Sequence, residues 1–318
     1  MSKKIVVTGG AGFIGSHLVE TLVQKNFDVT VIDNLFTGKK ENLSNIWGEI
    51  NFVNGSVLDS AILTKNFADA DCVFHLGGVR SMLKSVEDPL LYNHVNIDGT
   101  LNVLAAARTK NVRRVIFASS SSIYGNPVRF PIQENCFPNP RNPYALSKLA
   151  AEYYCKMYFE LFGLETISLR YFNVYGPRQD FSSQYGMVVP VFVSNVLQNK
   201  TPVIWGTGSQ SRDFVYVSDI VSANLNALTA GKKAIGQSIN VCQGKSVSVN
   251  QILETVNHLL HKDIQAKYTP VKKGDVLKTL GSPALAKRLL SFSCKVSFAE
   301  GMRKTIAWMK DQEYEVTL

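Results

Sequence analysis

Residues 4–15 decide the fold, and they read Lys4-Ile5-Val6-Val7-Thr8-Gly9-Gly10-Ala11-Gly12-Phe13-Ile14-Gly15. A short β-branched run typical of a buried strand leads directly into a glycine-rich turn, and a pattern typical of a helix follows. Gly9 allows the tight turn, Gly12 lets the backbone approach a pyrophosphate, and Gly15 lets the helix lie close to the sheet. The first amides of the helix and the positive end of its dipole then face the phosphates. The stretch therefore predicts a dinucleotide-binding turn.

Asp33 follows the second predicted strand, Asp28–Ile32. A carboxylate at this position accepts hydrogen bonds from the hydroxyls of an adenine ribose and repels a 2′-phosphate. Asn34 and Leu35 come next, so no arginine stands beside Asp33 to receive such a phosphate. We therefore predict NAD rather than NADP as the cofactor; the alternative is that Asp33 is only a turn residue. The predicted cofactor-binding residues in this part of the chain are Gly9, Gly12, Phe13, Ile14, Gly15, Asp33 and Asn34.

Short β-branched runs and amphipathic segments alternate through the first half of the chain, which is typical of a parallel sheet covered by helices. The predicted strands are Lys4–Thr8, Asp28–Ile32, Ile50–Val53, Cys72–His75, Arg114–Ala118, Glu165–Arg170 and Ser238–Val241. The predicted helices are Ile14–Lys25, Leu90–Thr109, Tyr144–Phe162 and Ala299–Lys310. After Gly176-Pro177 the alternation weakens, which predicts a smaller lobe over the carboxyl ends of the strands, where ligands bind in open α/β sheets.

A second pattern carries chemistry, because Tyr144-Ala145-Leu146-Ser147-Lys148 places a phenol and an ammonium one turn apart on one helix face. A free tyrosine has a pKa of about 10 and is a poor base at neutral pH. A nearby ammonium, together with oxidised nicotinamide, favours the phenolate, so we expect Lys148 and the cofactor to bring Tyr144 into working range. The serine run Ser119–Ser122 follows the strand predicted to end at Ala118, where hydroxyls can donate to a substrate oxygen. The alternative for the tyrosine and lysine alone is an ordinary amphipathic helix.

Composition narrows the functional classes. The 318 residues, 45% of them apolar, suffice for a large core, but charges interrupt every apolar run before the roughly 18 residues that a membrane helix needs. The net charge of +9 comes from scattered basic pairs, which suits an anionic small substrate better than nucleic acid. Five dispersed cysteines without a Cys-x-x-Cys pair predict reduced thiols, and the sequence offers no metal site. We therefore expect a cytoplasmic protein that binds neither membrane nor nucleic acid.

The chain resembles a known family in motifs that together run from Lys4 to about Lys310. These motifs are Thr8–Gly15, Asn96 in Asn-Ile-Asp-Gly-Thr, the serine run, Tyr144 with Lys148, Arg170–Pro177 and Ser211–Phe214. They are similar to those of the extended short-chain dehydrogenase/reductases that modify nucleotide sugars, and most closely to UDP-glucose and UDP-N-acetylglucosamine 4-epimerases. The resemblance implies an α/β fold of the Rossmann type, a doubly wound parallel sheet with a smaller α/β C-terminal substrate lobe. We accordingly expect an NAD-binding domain at residues 1–177, with 214–244 returning to it, and a substrate lobe at 178–213 and 245–318.

Sister activities of that family differ at the serine run. The resemblance implies an Asp-Glu pair in place of Ser121 and Ser122 in 4,6-dehydratases, and a glutamate in place of Ser122 in UDP-glucuronate decarboxylases. Epimerisation needs neither carboxylate, because a 4-keto sugar forms, turns over in the site and takes the same hydride back on its other face. The sequence therefore predicts a 4-epimerase of a UDP-hexose. The alternatives are an NADH-dependent reductase of 4-keto nucleotide sugars and a non-catalytic NAD-sensing protein of the same fold.

The resemblance also implies roles for individual residues. Ser120 shares the proton relay with Tyr144, Lys148 also holds the nicotinamide ribose, and Asn96 lies along the cofactor. The matching positions on the substrate side are Lys84, Ser85, Ser121 and Ser122 at the sugar, Asn173 and Arg212 at the diphosphate, Trp205 against uracil, and Asp275 at the ribose of the nucleotide. A core tryptophan is the alternative for Trp205.

Thr279, four residues past Asp275, is the expected specificity gate. In the resembled epimerases this position lies beside the C2 substituent of the sugar, and a tyrosine there restricts the enzyme to UDP-glucose and UDP-galactose. Thr279 is small, which predicts interconversion of UDP-N-acetylglucosamine and UDP-N-acetylgalactosamine, with the non-acetylated pair as a second substrate pair. The alternative is a register slip of one residue, with Thr279 an ordinary residue of the lobe.

The helix from Tyr144 carries apolar and aromatic side chains that point in more directions than one buried stripe can absorb. If this helix and Leu90–Thr109 pair with their symmetry mates, the protein is a homodimer, which is the interpretation that we prefer. The alternative is a helix covered all round by its own chain.

Overall fold

The structure is a computed structural model that describes residues 3–180, 188–271 and 276–316. Its centre is a seven-stranded parallel sheet in the order β10-β6-β5-β4-β1-β2-β3. The strands of this sheet are β1 (Lys4–Thr8), β2 (Asp28–Asp33), β3 (Ile50–Asn54), β4 (Cys72–His75), β5 (Arg114–Ser120), β6 (Glu165–Tyr171) and β10 (Ser238–Val241). The strand order reverses between β1 and β4, which is the crevice where ligands bind in doubly wound sheets.

Helices cover both faces of the sheet and the smaller C-terminal part. They are α1 (Phe13–Gln24), α2 (Ser60–Asn66), α3 (Met82–Glu87), α4 (Pro89–Asn93), α5 (Gly99–Thr109), α6 (Pro143–Phe162), α7 (Val188–Leu197), α8 (Val217–Thr229), α9 (Val249–Leu260), α10 (Ala284–Leu290) and α11 (Phe298–Val316). Short 3-10 helices occupy Lys40–Glu49, Ser121–Tyr124 and Lys232–Ala234, and one π-helical turn spans His94–Asp98.

Alternate residues of the first strand enter two different cores. Ile5 and Val7 lie in the larger apolar cluster on one face, whereas Val6 lies in the cluster on the other face, and all three side chains are fully buried. Successive side chains of a strand point to opposite faces, so a strand covered on both sides must be apolar throughout. This requirement explains why the β-branched run at the N-terminus reads as a continuous apolar stretch.

The C-terminal part adds two small sheets over the carboxyl ends of the central strands. One has the order β11-β9-β7, formed by Ser246–Ser248, Ser211–Tyr216 and Asn173–Tyr175, and the other pairs β12 (Lys267–Thr269) with β8 (Val203–Trp205). A third apolar cluster joins β7, β9, α7, α9 and α11. The prediction of a doubly wound α/β fold is therefore confirmed, with all seven predicted strands in one parallel sheet.

Two local features differ from the sequence-based expectation. The fifth strand runs to Ser120 instead of ending at Ala118, so the first two serines of the run belong to the strand and the last two begin a 3-10 turn. The predicted helix Leu90–Thr109 is three consecutive pieces, with a π-helical turn at His94–Asp98 between two α-helices. The apolar pattern of the sequence did not predict the π-helical turn, because such a turn adds one residue and leaves the segment helical. It did not predict the end of the strand either, because the serines are polar.

Candidate active site

The glycine turn between β1 and α1 forms a cradle that only glycine permits. Gly9 has a φ of +71°, and a Cβ at this position would lie 2.6 Å from the amide nitrogen of Gly77. A Cβ at Gly15 would collide with the carbonyl oxygen of Gly9, so the helix lies against the turn at the closest possible distance. Gly12 meets only the carbonyl of Gly9, at 3.2 Å, which leaves its other side open to a ligand. The backbone therefore fits a bound pyrophosphate.

The amino end of α1 is free to receive an anion. Gly12 is its N-cap and provides no side-chain hydrogen bond, and the first turn carries no acidic residue. The amides of Phe13 and Ile14 therefore lie at the positive end of a twelve-residue helix without a capping side chain. This arrangement supports the predicted cofactor role of both residues, which act through their backbone.

Asp33 is hydrogen-bonded to the glycine turn. Its two carboxylate oxygens accept hydrogen bonds from the amides of Ala11 (2.9 Å) and Leu35 (2.8 Å), so the side chain ties the second strand to the glycine turn. Burial raises the pKa of Asp33, and the two amide bonds oppose that shift. A carboxylate has about four lone-pair sites, so two remain for ribose hydroxyls. The neighbouring Asn34 is exposed and accepts a hydrogen bond from the amide of Phe36.

The predicted base is placed by the start of α6. Asn142 is the N-cap and accepts a hydrogen bond from the amide of Ala145, and Pro143 begins the helix, so Tyr144 lies in its first turn beside the end of β5. Burial raises the pKa of Tyr144, while a hydrogen bond with the side chain of Ser120 and the charge of Arg80 oppose that rise. The structure therefore brings the predicted tyrosine and serine into direct contact.

Lys148 lies one turn beyond the tyrosine, as the sequence predicts, and it is buried. Its Nζ donates a hydrogen bond to the carbonyl oxygen of Ala118 at 3.0 Å, and burial lowers its pKa to about 8. The groups that oppose the raised pKa of Tyr144 in this geometry are Ser120 and Arg80. The ammonium of Lys148 thus contacts the strand in this structure, and its expected effect on the phenol, together with oxidised nicotinamide, stays a prediction.

Asn96 is buried and is hydrogen-bonded to the loop that follows β4. It lies in the π-helical turn and is 2% exposed, and its amide exchanges two hydrogen bonds with the backbone of Val79, at 2.9 and 3.0 Å. The same amide donates to Oγ of Ser147 at 2.9 Å, next to Lys148. Asn96 therefore joins the loop after β4 to α6, and its predicted contact along the cofactor stays a prediction.

The predicted diphosphate residues Asn173 and Arg212 lie on β7 and β9, which pair in the three-stranded sheet. Nδ2 of Asn173 donates to the carbonyl oxygen of Asp213 and to Oγ1 of Thr279, both at 3.2 Å. Arg212 is half-buried on β9, directly before Asp213, and donates to the carbonyl oxygen of Ser211 at 3.0 Å. The structure thus brings Asn173, Arg212 and Thr279 together, although they come from three distant parts of the sequence.

Trp205 ends β8 with 49% of its surface exposed, so it is not a core tryptophan. The predicted contact of its indole ring with uracil stays a prediction. Asp275, the residue predicted to bind the ribose of the nucleotide, lies outside the described residues.

The residues predicted to face the sugar differ in their surroundings. Lys84 is exposed on α3, whereas Ser85 is fully buried and donates to the carbonyl oxygen of Met82 at 2.6 Å. Ser121 and Ser122 are half-buried in the 3-10 turn, and Oγ of Ser122 is buried without a hydrogen-bond partner. An unpartnered buried hydroxyl is costly, and a sugar hydroxyl is one group that would satisfy it.

Asp213 is a site residue to which sequence reasoning gave no role. Its carboxylate is fully buried and accepts three backbone hydrogen bonds, from Gln243 (2.8 Å), Gly244 (3.0 Å) and Gly281 (3.1 Å). Burial raises its pKa to about 7, and the three amides oppose that rise. The sequence signal was an aspartate next to Arg212, directly before the apolar end of β9, Phe214–Tyr216.

The chain is similar to known proteins over most of its length. A sequence profile described as the NAD dependent epimerase/dehydratase family matches residues 5–242. A putative UDP-glucose 4-epimerase of Methanocaldococcus jannaschii is 38% identical over 309 residues, which cover 96% of this chain and 98% of that protein. A UDP-N-acetyl-alpha-D-glucosaminuronate decarboxylase of Bacillus cytotoxicus is 33% identical over 325 residues, which cover 98% of this chain and 99% of that protein.

A solved structure is similar over the same length. It is a UDP-N-acetylglucosamine 4-epimerase from Methanobrevibacter ruminantium M1 in complex with UDP-N-acetylmuramic acid. It matches with a TM-score of 0.94 at 40% identity and covers 98% of this chain and 99% of its own. The similarity therefore includes both the central sheet and the C-terminal part.

Proposed function

The chain belongs to the NAD dependent epimerase/dehydratase family, and we propose that it inverts the C4 hydroxyl of a UDP-linked hexose. NAD is the cofactor of this family, which confirms the prediction made from the glycine turn and Asp33. Among residues 3–180, 188–271 and 276–316, no helix combines the length and apolar character that a membrane crossing requires.

The observation that carries the proposal is the chemistry at the end of β5. Beyond the contact between Ser120 and Tyr144, the turn Ser121–Tyr124 carries hydroxyl groups and no carboxylate. Elimination of water needs a general acid and a base besides the tyrosine. The nearby carboxylate of Glu152 accepts one hydrogen bond from Ser119 and further hydrogen bonds from Arg170, so it is not available as an acid or base for elimination. Oxidation and reduction at one carbon need only the groups present here.

The side chains perform the proton transfers. Tyr144 accepts the proton of the C4 hydroxyl, and Ser120, which is hydrogen-bonded to it, relays between the phenol and the sugar oxygen. Gly9, Gly12, Gly15 and Asp33 would hold NAD, which would supply the hydride acceptor and donor for C4. Tyr144 gives the proton back to the same oxygen when the sugar presents its opposite face. The proton and the hydride both return, so the net reaction consumes nothing and inverts C4.

The proposed substrate pair is UDP-N-acetylglucosamine and UDP-N-acetylgalactosamine. Thr279 lies against Asn173 in the predicted diphosphate group, and a threonine at this position leaves more room than a tyrosine. The 40% identical structure is named as a UDP-N-acetylglucosamine 4-epimerase, whereas the relative from Methanocaldococcus jannaschii is named as a putative UDP-glucose 4-epimerase. The non-acetylated pair is accordingly a second substrate pair to test.

The test is a panel of UDP-sugars incubated with the purified protein, without added cofactor, followed by separation of the C4 epimers. We expect each acetylated sugar to give the same equilibrium mixture from either side. A protein that requires added NADH and accumulates a reduced product would be a reductase. Release of carbon dioxide from a UDP-hexuronic acid would make it a decarboxylase, and either result would refute the proposal.

We also propose that the protein is a homodimer. Four apolar side chains on one stripe of α6 are exposed, namely Leu146 (55%), Tyr153 (53%), Met157 (44%) and Leu161 (66%). Their spacings of seven, four and four residues place them on one face, so the chain itself does not cover this stripe. Light scattering should give twice the mass of the chain, and Met157→Glu with Leu161→Glu should give the single mass. A wild-type protein of single mass would contradict the proposal.

A further inference from the structure

Three side chains on one face of α6 connect the helix to β5 at successive turns. They are spaced by four residues, so they lie above one another on the helix. The three contacts, in order from the start of the helix, are Tyr144 with the side chain of Ser120, Lys148 with the carbonyl oxygen of Ala118, and Glu152 with the hydroxyl of Ser119. The first two belong to the proposed catalytic residues, whereas the third has no role in the chemistry.

Glu152 is held on its other side by a buried ion pair. Oε2 of Glu152 accepts a hydrogen bond from Oγ of Ser119 at 2.8 Å. Nε of Arg170 donates to both carboxylate oxygens of Glu152, to Oε2 at 3.0 Å and to Oε1 at 3.2 Å. A further short hydrogen bond joins Nη2 of Arg170 to Oε1. Ser119, Glu152 and Arg170 are 3%, 5% and 6% exposed, so water does not loosen these contacts.

The arginine also reaches the far side of the serine run. Nη1 of Arg170 donates to the hydroxyl of Tyr124 at 2.6 Å and to the carbonyl oxygen of Glu134 at 3.0 Å. Tyr124 ends the 3-10 turn that begins at Ser121, and its hydroxyl donates to Oδ1 of Asn240 at 2.7 Å. Arg170 therefore fixes the chain on both sides of Ser120.

We propose that Glu152, held by Arg170, is a positioning residue that fixes α6 against β5 and thereby sets the contact between Tyr144 and Ser120. Its catalytic consequence rests on the proposed function, but the geometric claim does not. Buried ion pairs contribute little net stability, because desolvation offsets most of the attraction between the charges. A displacement of about 1 Å in a catalytic group can cost about a hundredfold in rate. Contacts that hold α6 in place against β5 would therefore matter for catalysis even if they add little stability.

The mildest test is Ser119→Ala, which cuts the link between strand and helix and leaves the ion pair in place. The matched control is Ser168→Ala on β6, since Ser168 is equally buried and its hydroxyl bonds to Cys155 of the same helix. We expect Ser119→Ala to lower kcat about tenfold to a hundredfold with KM and retained NAD unchanged. Ser168→Ala should leave kcat unchanged at a similar loss of thermal stability.

A second test removes the ion pair without leaving a buried charge. Glu152→Leu with Arg170→Met replaces both partners by apolar side chains, as a buried pair tolerates. The matched control is Arg114→Met with Glu165→Leu, a pair joined at 2.8 Å at the amino ends of β5 and β6. Both double variants should fold, and only the first should lose kcat. Full activity in a folded Glu152→Leu/Arg170→Met protein would overturn the proposal.

A measurement without turnover separates this proposal from the proposed function. Tyrosine labelled with ¹³C at the ζ carbon reports the phenol of Tyr144, and the resonance is assigned by its loss in Tyr144→Phe. The groups that face this phenol are Ser120, Arg80 and the ring of Tyr92, whose centroid lies 6.3 Å away, with Lys148 one turn further.

In Ser119→Ala and in Glu152→Leu/Arg170→Met, we expect the titration of this resonance to move to higher pH, because the hydrogen bond from Ser120 lowers the pKa of Tyr144. An unchanged resonance in both variants would overturn the positioning role, whether or not a UDP-sugar is turned over. A wild type that epimerises no UDP-sugar but shows the shifted titration would refute only the proposed function.

Discussion

Oγ1 of Thr279 lies 3.2 Å from Nδ2 of Asn173 and accepts its hydrogen bond. The same oxygen accepts a second bond from the amide of Asp213 at 3.0 Å. The residue expected to select the sugar and the residue expected to hold the diphosphate therefore form one hydrogen-bonded unit. Asp213 anchors this unit, because its carboxylate binds the amides of Gly244 and Gly281 on the two adjoining loops. A change at Thr279 must accordingly be judged against the loss of its hydroxyl as well as the change in volume.

The first prediction concerns the base. Tyr144→Phe removes the phenolic oxygen and little volume, so folding and NAD retention should persist while kcat falls about 10²–10⁴-fold, the usual contribution of a general base. Ser120→Ala should lower kcat less, because the tyrosine can still reach the sugar oxygen. Stopped assays with either epimer measure both rates. A Tyr144→Phe protein with a near-normal rate would end the proposed mechanism.

The second prediction concerns Asp33. Asp33→Ala removes the acceptor for ribose hydroxyls and the repulsion of a 2′-phosphate, and it also frees the amides of Ala11 and Leu35. We expect NAD to bind about tenfold to a hundredfold more weakly, as for the loss of charge-assisted hydrogen bonds, and the preference over NADP to shrink. Titration calorimetry of the apo protein measures both affinities.

The control for this prediction is Asp28→Ala, at the exposed opposite end of the same strand. It removes the same charge from the protein at a distance from the turn, so NAD affinity should not change. If Asp33→Ala keeps the affinity for NAD and the rejection of NADP, Asp33 is only a residue of the turn.

The sequence predicted the cofactor turn well because its parts are local. Gly9, Gly12 and Gly15 act within one strand–turn–helix unit, and their roles depend on backbone geometry that neighbouring residues determine. The pairing of Tyr144 with Lys148 on α6 could also be predicted from the sequence, because helical spacing alone places the two residues on one face. These are the site features for which residues close in sequence are also close in space.

The remaining features depend on partners that are distant in sequence. The carboxylate of Asp213 binds amides 30, 31 and 68 residues away, and Glu152 binds Ser119, 33 residues away. No periodic pattern reports such pairs, so both residues stayed without a role until the fold joined them. The hydrogen bond from Lys148 to the carbonyl oxygen of Ala118 was also out of reach, because the two residues are 30 positions apart in the sequence.

The third prediction concerns stability at low pH. Burial lowers the pKa of His17 from its ordinary 6.5 to about 4, because it desolvates the imidazolium. Below pH 6.5 the imidazole of His17 therefore binds a proton in the unfolded chain but not in the folded protein. The free energy of unfolding accordingly falls as the pH drops from about 6.5 towards 4. Each pH unit costs about 1.4 kcal/mol, which gives about 2 kcal/mol at pH 5.

His17→Gln tests this linkage, since a glutamine amide can still donate to the carbonyl oxygen of Pro177, the partner of His17 at 3.0 Å. Urea unfolding at several pH values should show a shallower loss of stability in the variant, by about one proton. Buried groups with the opposite effect, such as Asp213 with its raised pKa, are present in both proteins and cancel in the comparison. Parallel pH profiles for the two proteins would show that His17 titrates normally.

The last prediction concerns which sugar fits. Thr279→Tyr adds an aromatic ring beside Asn173, and an overpacked pocket should exclude an acetamido group at C2 while a hydroxyl still fits. We expect kcat/KM for UDP-N-acetylglucosamine to fall at least about a hundredfold, while that for UDP-galactose stays within about tenfold of the wild type. The same variant also removes the oxygen that binds Asn173 and Asp213, which by itself would weaken both substrates. Thr279→Val isolates that second effect, because it keeps the volume and lacks the hydroxyl, so it should lower both values by the same factor. If Thr279→Tyr, like Thr279→Val, lowers kcat/KM for the two sugars by the same factor, the selection between the sugars is made elsewhere in the pocket.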